Sequence, residues 1–183
     1  MQAKAVIHTW ESLNPDWMRY LLDDEDLMLF MSLHFDQTEV DTFHNLPLPV
    51  MKTDFFRLAV MYYEGGIYAD VDVQCNQPIQ KWDGGPIDKC DVIVGMEYNS
   101  DVCNWGFASR KGHPLFKWAI ELSLLWFINT TIDFSSEHFV HGATGPHVFT
   151  LALKDIAKEV GCVIPDSNTT KDMHASDTNE AKD

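Results

Sequence analysis

Two aspartates spaced two apart, Asp70 and Asp72, follow a short apolar run, Ile67-Tyr68-Ala69. If the run continues as a strand, residues two apart point the same way, and both carboxylates face one side. Two carboxylates held together repel each other and raise a pKa unless a cation sits between them. A hard divalent cation, Mg2+ or Mn2+, is the natural occupant, with Asp70 and Asp72 as its ligands. Sixteen residues before Asp70, Asp54 stands three residues ahead of Arg57. On a helix that spacing puts both on one face, where they could pair with each other for about 0.2–0.5 kcal/mol.

These groups need a helix, a tight turn and a strand to position them. Leu58 and Met61 continue the helical spacing from Asp54 and can face a core. Gly65-Gly66 ends the helix, because glycine takes the left-handed cap conformation at little cost. Upstream, Lys4 to His8 reads as a first buried strand. Asn14-Pro15-Asp16 reads as the start of a helix reaching Leu22. Asp23 to Asp26 reads as a solvated acidic break, and Leu27 to Phe35 as an apolar helix. Downstream, Asp91 to Met96 reads as a second buried strand and Asn99 to Ser109 as a short mixed segment. A helix is predicted over Leu115 to Phe127 and another over Val148 to Val160, with a loop from His141 to His147 between them. Cys162 to Ile164 could add a last strand. The alternation predicts one α/β domain over residues 1–165, with a polar tail over 166–183.

Composition narrows the partners. The chain has 183 residues, 45% of them hydrophobic, which suits one folded domain. Its formal net charge of -15 disfavours nucleic acid and anionic membrane surfaces. A diphosphate ligand would need a metal to bridge the like charges. Four cysteines with no CxxC pair argue against zinc and for free thiols. No signal peptide is read at the start, and the apolar run from Trp118 to Ile128 is too short to span a bilayer and contains Glu121. The expectation is a soluble chain. It would be lumenal in the Golgi if trimmed from an anchored precursor, and cytoplasmic otherwise.

At Asp54-Phe55-Phe56-Arg57, Gly65-Gly66-Ile67-Tyr68 and Asp70-Val71-Asp72 the chain resembles glycosyltransferase family 32, the DXD sugar-binding enzymes related to initiation-type α-1,6-mannosyltransferases. Ile7-His8-Thr9-Trp10, Cys75 to Trp82, Ile93 to Glu97, Lys111 to Pro114 and Thr144-Gly145-Pro146 match further family blocks in order. The resemblance implies a GT-A fold, a single Rossmann-like domain with a mixed central sheet. It also implies a metal-dependent retaining transfer of a hexose from GDP-mannose or a UDP-sugar to a glycan or other hydroxyl acceptor. Asp54 and Arg57 would hold donor-sugar hydroxyls and the diphosphate side. Tyr68 would pack near the donor, and Asp70 would contact ribose or metal. Asp72 would ligate the metal, Trp10 would cover the nucleobase, and Asn104 would sit beside the sugar. Thr144, Gly145 and Pro146 would line the transfer site. Asp70, Asp72 and Arg57 are the residues expected to carry catalysis.

Other readings remain open at this level. Asp70-Val71-Asp72-Val73 resembles the signature of aspartate-nucleophile phosphatases, in which the first aspartate is phosphorylated. That signature normally follows the first strand of its domain, and here some seventy residues come first. A non-catalytic nucleotide-sugar binding module is the other rival. Trp10 and Tyr68 could be core aromatics, and His8, His141 and His147 read as structural.

Overall fold

The structure, a computed structural model, describes residues 2–82, 90–97, 101–129 and 139–161. Helices α1 (Gln2–Leu13), α2 (Asp24–His34), α3 (Gln37–His44) and α4 (Pro49–Tyr63) precede strand β1 (Gly66–Ala69). Strands β2 (Val92–Met96) and β3 (Val102–Ser109) follow, then α5 (Pro114–Asn129), α6 (Phe139–Ala143) and α7 (Pro146–Glu159). Among the described residues the sheet has three strands in the order β1-β3-β2, with β3 antiparallel to both neighbours. The expected α/β class holds. The described sheet is antiparallel and small, flanked by helices.

Several elements differ from their sequence reading. Lys4 to His8 lies inside α1 and is not a strand. Val6, Ile7, Trp10 and Leu13 are the partly covered apolar positions of this helix, and their spacing of three and four is helical. A five-residue window hides that period. Asn14 to Leu22 forms no helix. Trp17, Met18, Tyr20, Leu21 and Leu22 are exposed, so no apolar face is buried to stabilise one. Asn14 instead ties distant chain together: its Oδ1 accepts the Ile79 N–H at 2.8 Å and its Nδ2 donates to the Trp10 carbonyl at 3.2 Å.

The acidic run at 23–26 caps a helix. Asp23 Oδ1 accepts the N–H groups of Glu25 and Asp26, and the Asp26 carboxylate accepts the Asp23 N–H, a reciprocal capping box. Acidic side chains also suit the positive end of the helix dipole. The His141–His147 stretch is divided between α6, a turn at Thr144-Gly145 and the first turn of α7. Cys162 to Ile164, the Gly84-Gly85-Pro86 loop and the 166–183 tail lie outside the described residues. Among the described residues, Cys75 and Cys103 are buried thiols outside any disulfide. Among the described residues no helix is long and apolar enough to cross a membrane.

The central helix α4 is buried on nearly every side. Phe55, Leu58 and Met61 enter the core with Phe116 and Ala119 of α5 and Phe149 and Ala152 of α7. Pro49 starts the helix, where its missing N–H costs nothing. Gly65 ends it at φ 69°, and a Cβ there would lie 2.5 Å from the Lys111 nitrogen. The chain can therefore turn into β1 only through a glycine. Phe107 of β3 stacks on its register partner Tyr68 at 5.5 Å and meets Phe116 at 5.1 Å. Cross-strand aromatic pairs of this kind contribute about 0.2–1 kcal/mol. This one also holds Tyr68 beside the candidate site.

Candidate active site

The helix α4 delivers Asp54 and Arg57 to one spot, as their three-residue spacing requires. Arg57 Nη1 forms an ion pair with Asp54 Oδ1 at 2.9 Å, and each side chain is only 5% exposed. The second guanidinium nitrogen, Nη2, reaches both oxygens of Asp70, at 3.2 and 3.3 Å. Arg57 thus bridges a carboxylate from the helix and one from the end of β1. The Tyr68 hydroxyl donates to Asp70 Oδ1 at 2.7 Å, and its ring lies 5.5 Å from the guanidinium carbon. Asn104 Nδ2 donates to Asp54 Oδ1 at 3.2 Å, and Thr144 Oγ1 donates to Asp54 Oδ2 at 3.0 Å. Four parts of the chain (α4, β1, β3 and the turn between α6 and α7) meet on one ion-pair network.

Burial is the dominant electrostatic influence. It pushes the Asp54 carboxyl above the usual carboxylate range, against the opposing pull of Arg57 and the donors Thr144 and Asn104. It pushes the Tyr68 phenol up strongly as well, with Arg57 opposing and the hydrogen bond to Asp70 adding to the rise. Tyr68 therefore stays protonated and serves as a fixed donor to Asp70. The buried Arg57 Nε finds no acceptor among the described residues.

The two aspartates of the DXD motif are not alternate residues of a strand. β1 stops at Ala69, the Asp70 N–H donates to the Trp105 carbonyl at 2.9 Å, and the Val73 N–H closes a turn onto the Asp70 carbonyl at 3.0 Å. Asp70 turns inward to Arg57. Asp72 is exposed and accepts no hydrogen bond from the described residues. Among the described residues no three His, Cys, Asp or Glu side chains gather as a metal cluster. Asp72 and Asp70 are the carboxylates that could hold a cation here, together with oxygens of a phosphate-bearing ligand. That donor set of hard oxygens, only partly supplied by protein, fits Mg2+ or Mn2+.

A cleft of about 360 Å3 opens over the network, within the range of small-molecule sites. Of the residues expected from sequence, Asp54, Arg57, Asp70, Asn104 and Gly145 line it. Tyr68 and Thr144 do not; they hold Asp70 and Asp54 from behind. Gly145 is required by close approach, since a Cβ there would lie 2.8 Å from the His141 Cα. Trp10 is also outside the lining. Its indole N–H donates to the Val73 carbonyl at 2.7 Å and its ring meets Trp82 edge-on at 6.1 Å, so it braces the chain just after Asp72. The cleft also uses Pro146, expected with Thr144 and Gly145, and Val50, Trp105, Val140 and His141, which sequence reasoning did not single out as ligands. The one available signal was adjacency: Trp105 follows Asn104, and His141 lies three residues before Thr144.

The family model described as "Glycosyltransferase sugar-binding region containing DXD motif" matches residues 2–87, which include Trp10, Asp54, Arg57, Tyr68, Asp70 and Asp72. Over residues 2–87 the chain is thus similar to the DXD glycosyltransferases. Curated proteins similar to this chain include two initiation-specific alpha-1,6-mannosyltransferases. That of Schizosaccharomyces pombe is 28% identical over 169 residues, 80% of this chain and 42% of the relative. That of Candida albicans is 25% identical over 130 residues, 60% of this chain and 34% of the relative. Inositol phosphoceramide mannosyltransferase 1 of S. pombe is 29% identical over 118 residues, 63% of this chain and 35% of the relative. The chain thus spans between about a third and two-fifths of the length of these relatives. Among solved structures, the PaToxG glycosyltransferase superposes with a TM-score of 0.57 at 17% identity, over 96% of this chain and 68% of that one. This likeness shows the fold of a glycosyltransferase, consistent with the GT-A architecture implied by the DXD blocks.

Proposed function

We propose that this chain is a metal-dependent, retaining hexosyltransferase. Its donor would be a nucleotide-sugar, GDP-mannose or a UDP-sugar, and its acceptor a hydroxyl of a glycan or glycoconjugate. Residues 1–165 would form the catalytic unit. The observation that carries this reading is the placement of Arg57 between Asp54 and Asp70 in the lining of the cleft, with Asp70 two residues before Asp72 in the DXD motif. Asp72 and Asp70 would hold the cation, which supplies Lewis-acid stabilisation of a departing diphosphate. The Arg57 guanidinium, in the cleft lining, would meet a phosphate or sugar oxygen. Asp54 and Asn104 would fix the sugar hydroxyls, with Thr144 locking the Asp54 rotamer.

Transfer breaks the bond from the anomeric carbon to the leaving phosphate oxygen and forms one to the acceptor oxygen. Both carboxylates in the cleft lining are held by Arg57, so neither is a free nucleophile. This supports attack on the same face as the leaving group. The leaving phosphate oxygen then takes the acceptor proton, and an α-linked donor gives an α-linked product. The same engagement weakens the phosphatase alternative, since an attacking Asp70 would first have to leave Arg57 and Tyr68.

A thermal-shift panel of GDP- and UDP-sugars, with and without Mn2+, tests the reading. Stabilisation should require both a nucleotide-sugar and Mn2+, and Asp72→Asn should abolish it while melting normally on its own. Equal stabilisation in EDTA and in Mn2+ would sink metal dependence.

A further inference from the structure

We infer that Trp105 and His141 form an acceptor subsite for a neutral hexopyranose ring at the mouth of the cleft. This rests on the glycosyltransferase reading and extends it to the side of the cleft that the DXD network leaves unassigned. Trp105 sits in β3, whose other large side chains are buried, yet its own side chain is 44% exposed and lines the cleft. Two contacts fix it. Its backbone carbonyl accepts the Asp70 N–H at 2.9 Å, which ties its position to the DXD turn. Its indole N–H donates to Glu97 Oε1 at 3.2 Å. With the N–H pinned to the rim, the apolar ring is the part offered to a ligand.

His141 lines the same cleft and is backed by an acid. Its Nε2 lies 3.8 Å from Asp101 Oδ2, and its ring lies near-parallel to that of His147, whose Nδ1 lies 3.9 Å from the other Asp101 oxygen. Asp101 and Glu97 belong to one rim, joined by a 2.7 Å hydrogen bond from the Glu97 N–H to the Asp101 carbonyl. The mouth therefore offers an aromatic ring and a partly exposed imidazole, set against two carboxylates.

A pyranose has an apolar C–H face and a polar edge, and an indole beside a hydrogen-bonding imidazole complements both. An anionic acceptor head is disfavoured, because the Glu97 and Asp101 carboxylates stand behind the two ligand-facing rings. The charged cradle for a donor diphosphate lies instead at Arg57 and the DXD turn. The inferred acceptor is thus a neutral sugar and not an inositol phosphate.

Saturation-transfer NMR on the full chain, with a nucleoside diphosphate and Mn2+ present, tests this with two probes: methyl α-D-mannopyranoside and inositol 1-phosphate. The pyranoside should give transfer signals with wild type and with Trp105→Phe. Its binding should be about tenfold weaker in Trp105→Ala and weakened in His141→Ala. Nucleotide-induced thermal shifts should stay as in wild type for all of these variants. Undiminished pyranoside signals in Trp105→Ala would overturn the subsite, as would stronger signals from inositol 1-phosphate. Loss of nucleotide binding in Trp105→Ala would assign the ring to the donor and also overturn it. Absence of any nucleotide shift in wild type is a separate result, and it would count against the glycosyltransferase reading itself.

Discussion

Replacing Arg57 with methionine tests the network on which the site is built. Arg57 and Asp54 are each 5% exposed, and Asp70 is 27% exposed. Methionine keeps much of the stem volume and removes the guanidinium, leaving two carboxylates facing each other with no cation. Breaking a buried pair by removing one partner costs about 3–5 kcal/mol, because the remaining charge is uncompensated. Asp54 still accepts from Asn104 and Thr144, so a loss near the lower end, about 3 kcal/mol, is expected. For a chain of this size that corresponds to a Tm drop of roughly 6–12 °C. The physical cause predicts a rescue. Adding Asp54→Asn removes the stranded charge while keeping a side chain of the same shape, and the double variant should regain about 2 kcal/mol. Urea unfolding midpoints at constant slope give both numbers. A single variant within about 1 kcal/mol of wild type, or a double variant no better than the single, would refute the argument that Arg57 neutralises a buried acid.

Two other predictions concern residues around the site. The buried His113 accepts the Leu115 N–H on Nδ1 at the start of α5, and burial, with Arg110 adding, lowers its pKa from the ordinary value. The neutral ring is the form the fold prefers. Its contribution is therefore complete above about pH 6.5 and is lost as pH falls below that value through the folded pKa. His113→Asn keeps an acceptor for the cap without a titrating group, so the stability gap between wild type and variant should change between about pH 7 and pH 5; a pH-independent gap in urea midpoints would contradict this. Gly145→Ala would place a Cβ 2.8 Å from the His141 Cα and 3.1 Å from its carbonyl oxygen. It should lower the unfolding midpoint by about 1–3 kcal/mol, whereas Gly142→Ala, with nothing within 4 Å, should stay within about 0.5 kcal/mol.

How far the sequence could be read depended on how local each signal was. The α4 helix, its glycine stop and β1 follow from spacing within some twenty residues, and so does the shared face of Asp54 and Arg57. The capping boxes of α2 and α3 were equally local, but an acidic run at 23–26 has two physical uses, and the capping use prevailed. α1 was misread because its helical period shows only over the full twelve residues. β3 read as a mixed segment, since Asn104 and Gly106 are poor strand formers. It is the central strand because ladders on both sides satisfy its backbone.

By itself the sequence determined the chemical inventory: the DXD aspartates, the arginine and acid one helical turn apart, and the glycines that let the helix stop beside the motif. The tertiary structure decided how these groups are used. It brought Asn104 and Thr144, 50 and 90 residues away in the chain, onto Asp54. It turned Asp70 into a partner of Arg57 while leaving Asp72 exposed, and it brought Trp105 and His141 into the lining of one cleft. The physical reason lies in the burial of Arg57. A guanidinium taken out of water needs more than one acceptor, and side-chain spacing within one helix supplies only one. The second has to come from another element, and only the packing of β1 and β3 against α4 selects which carboxylate that is.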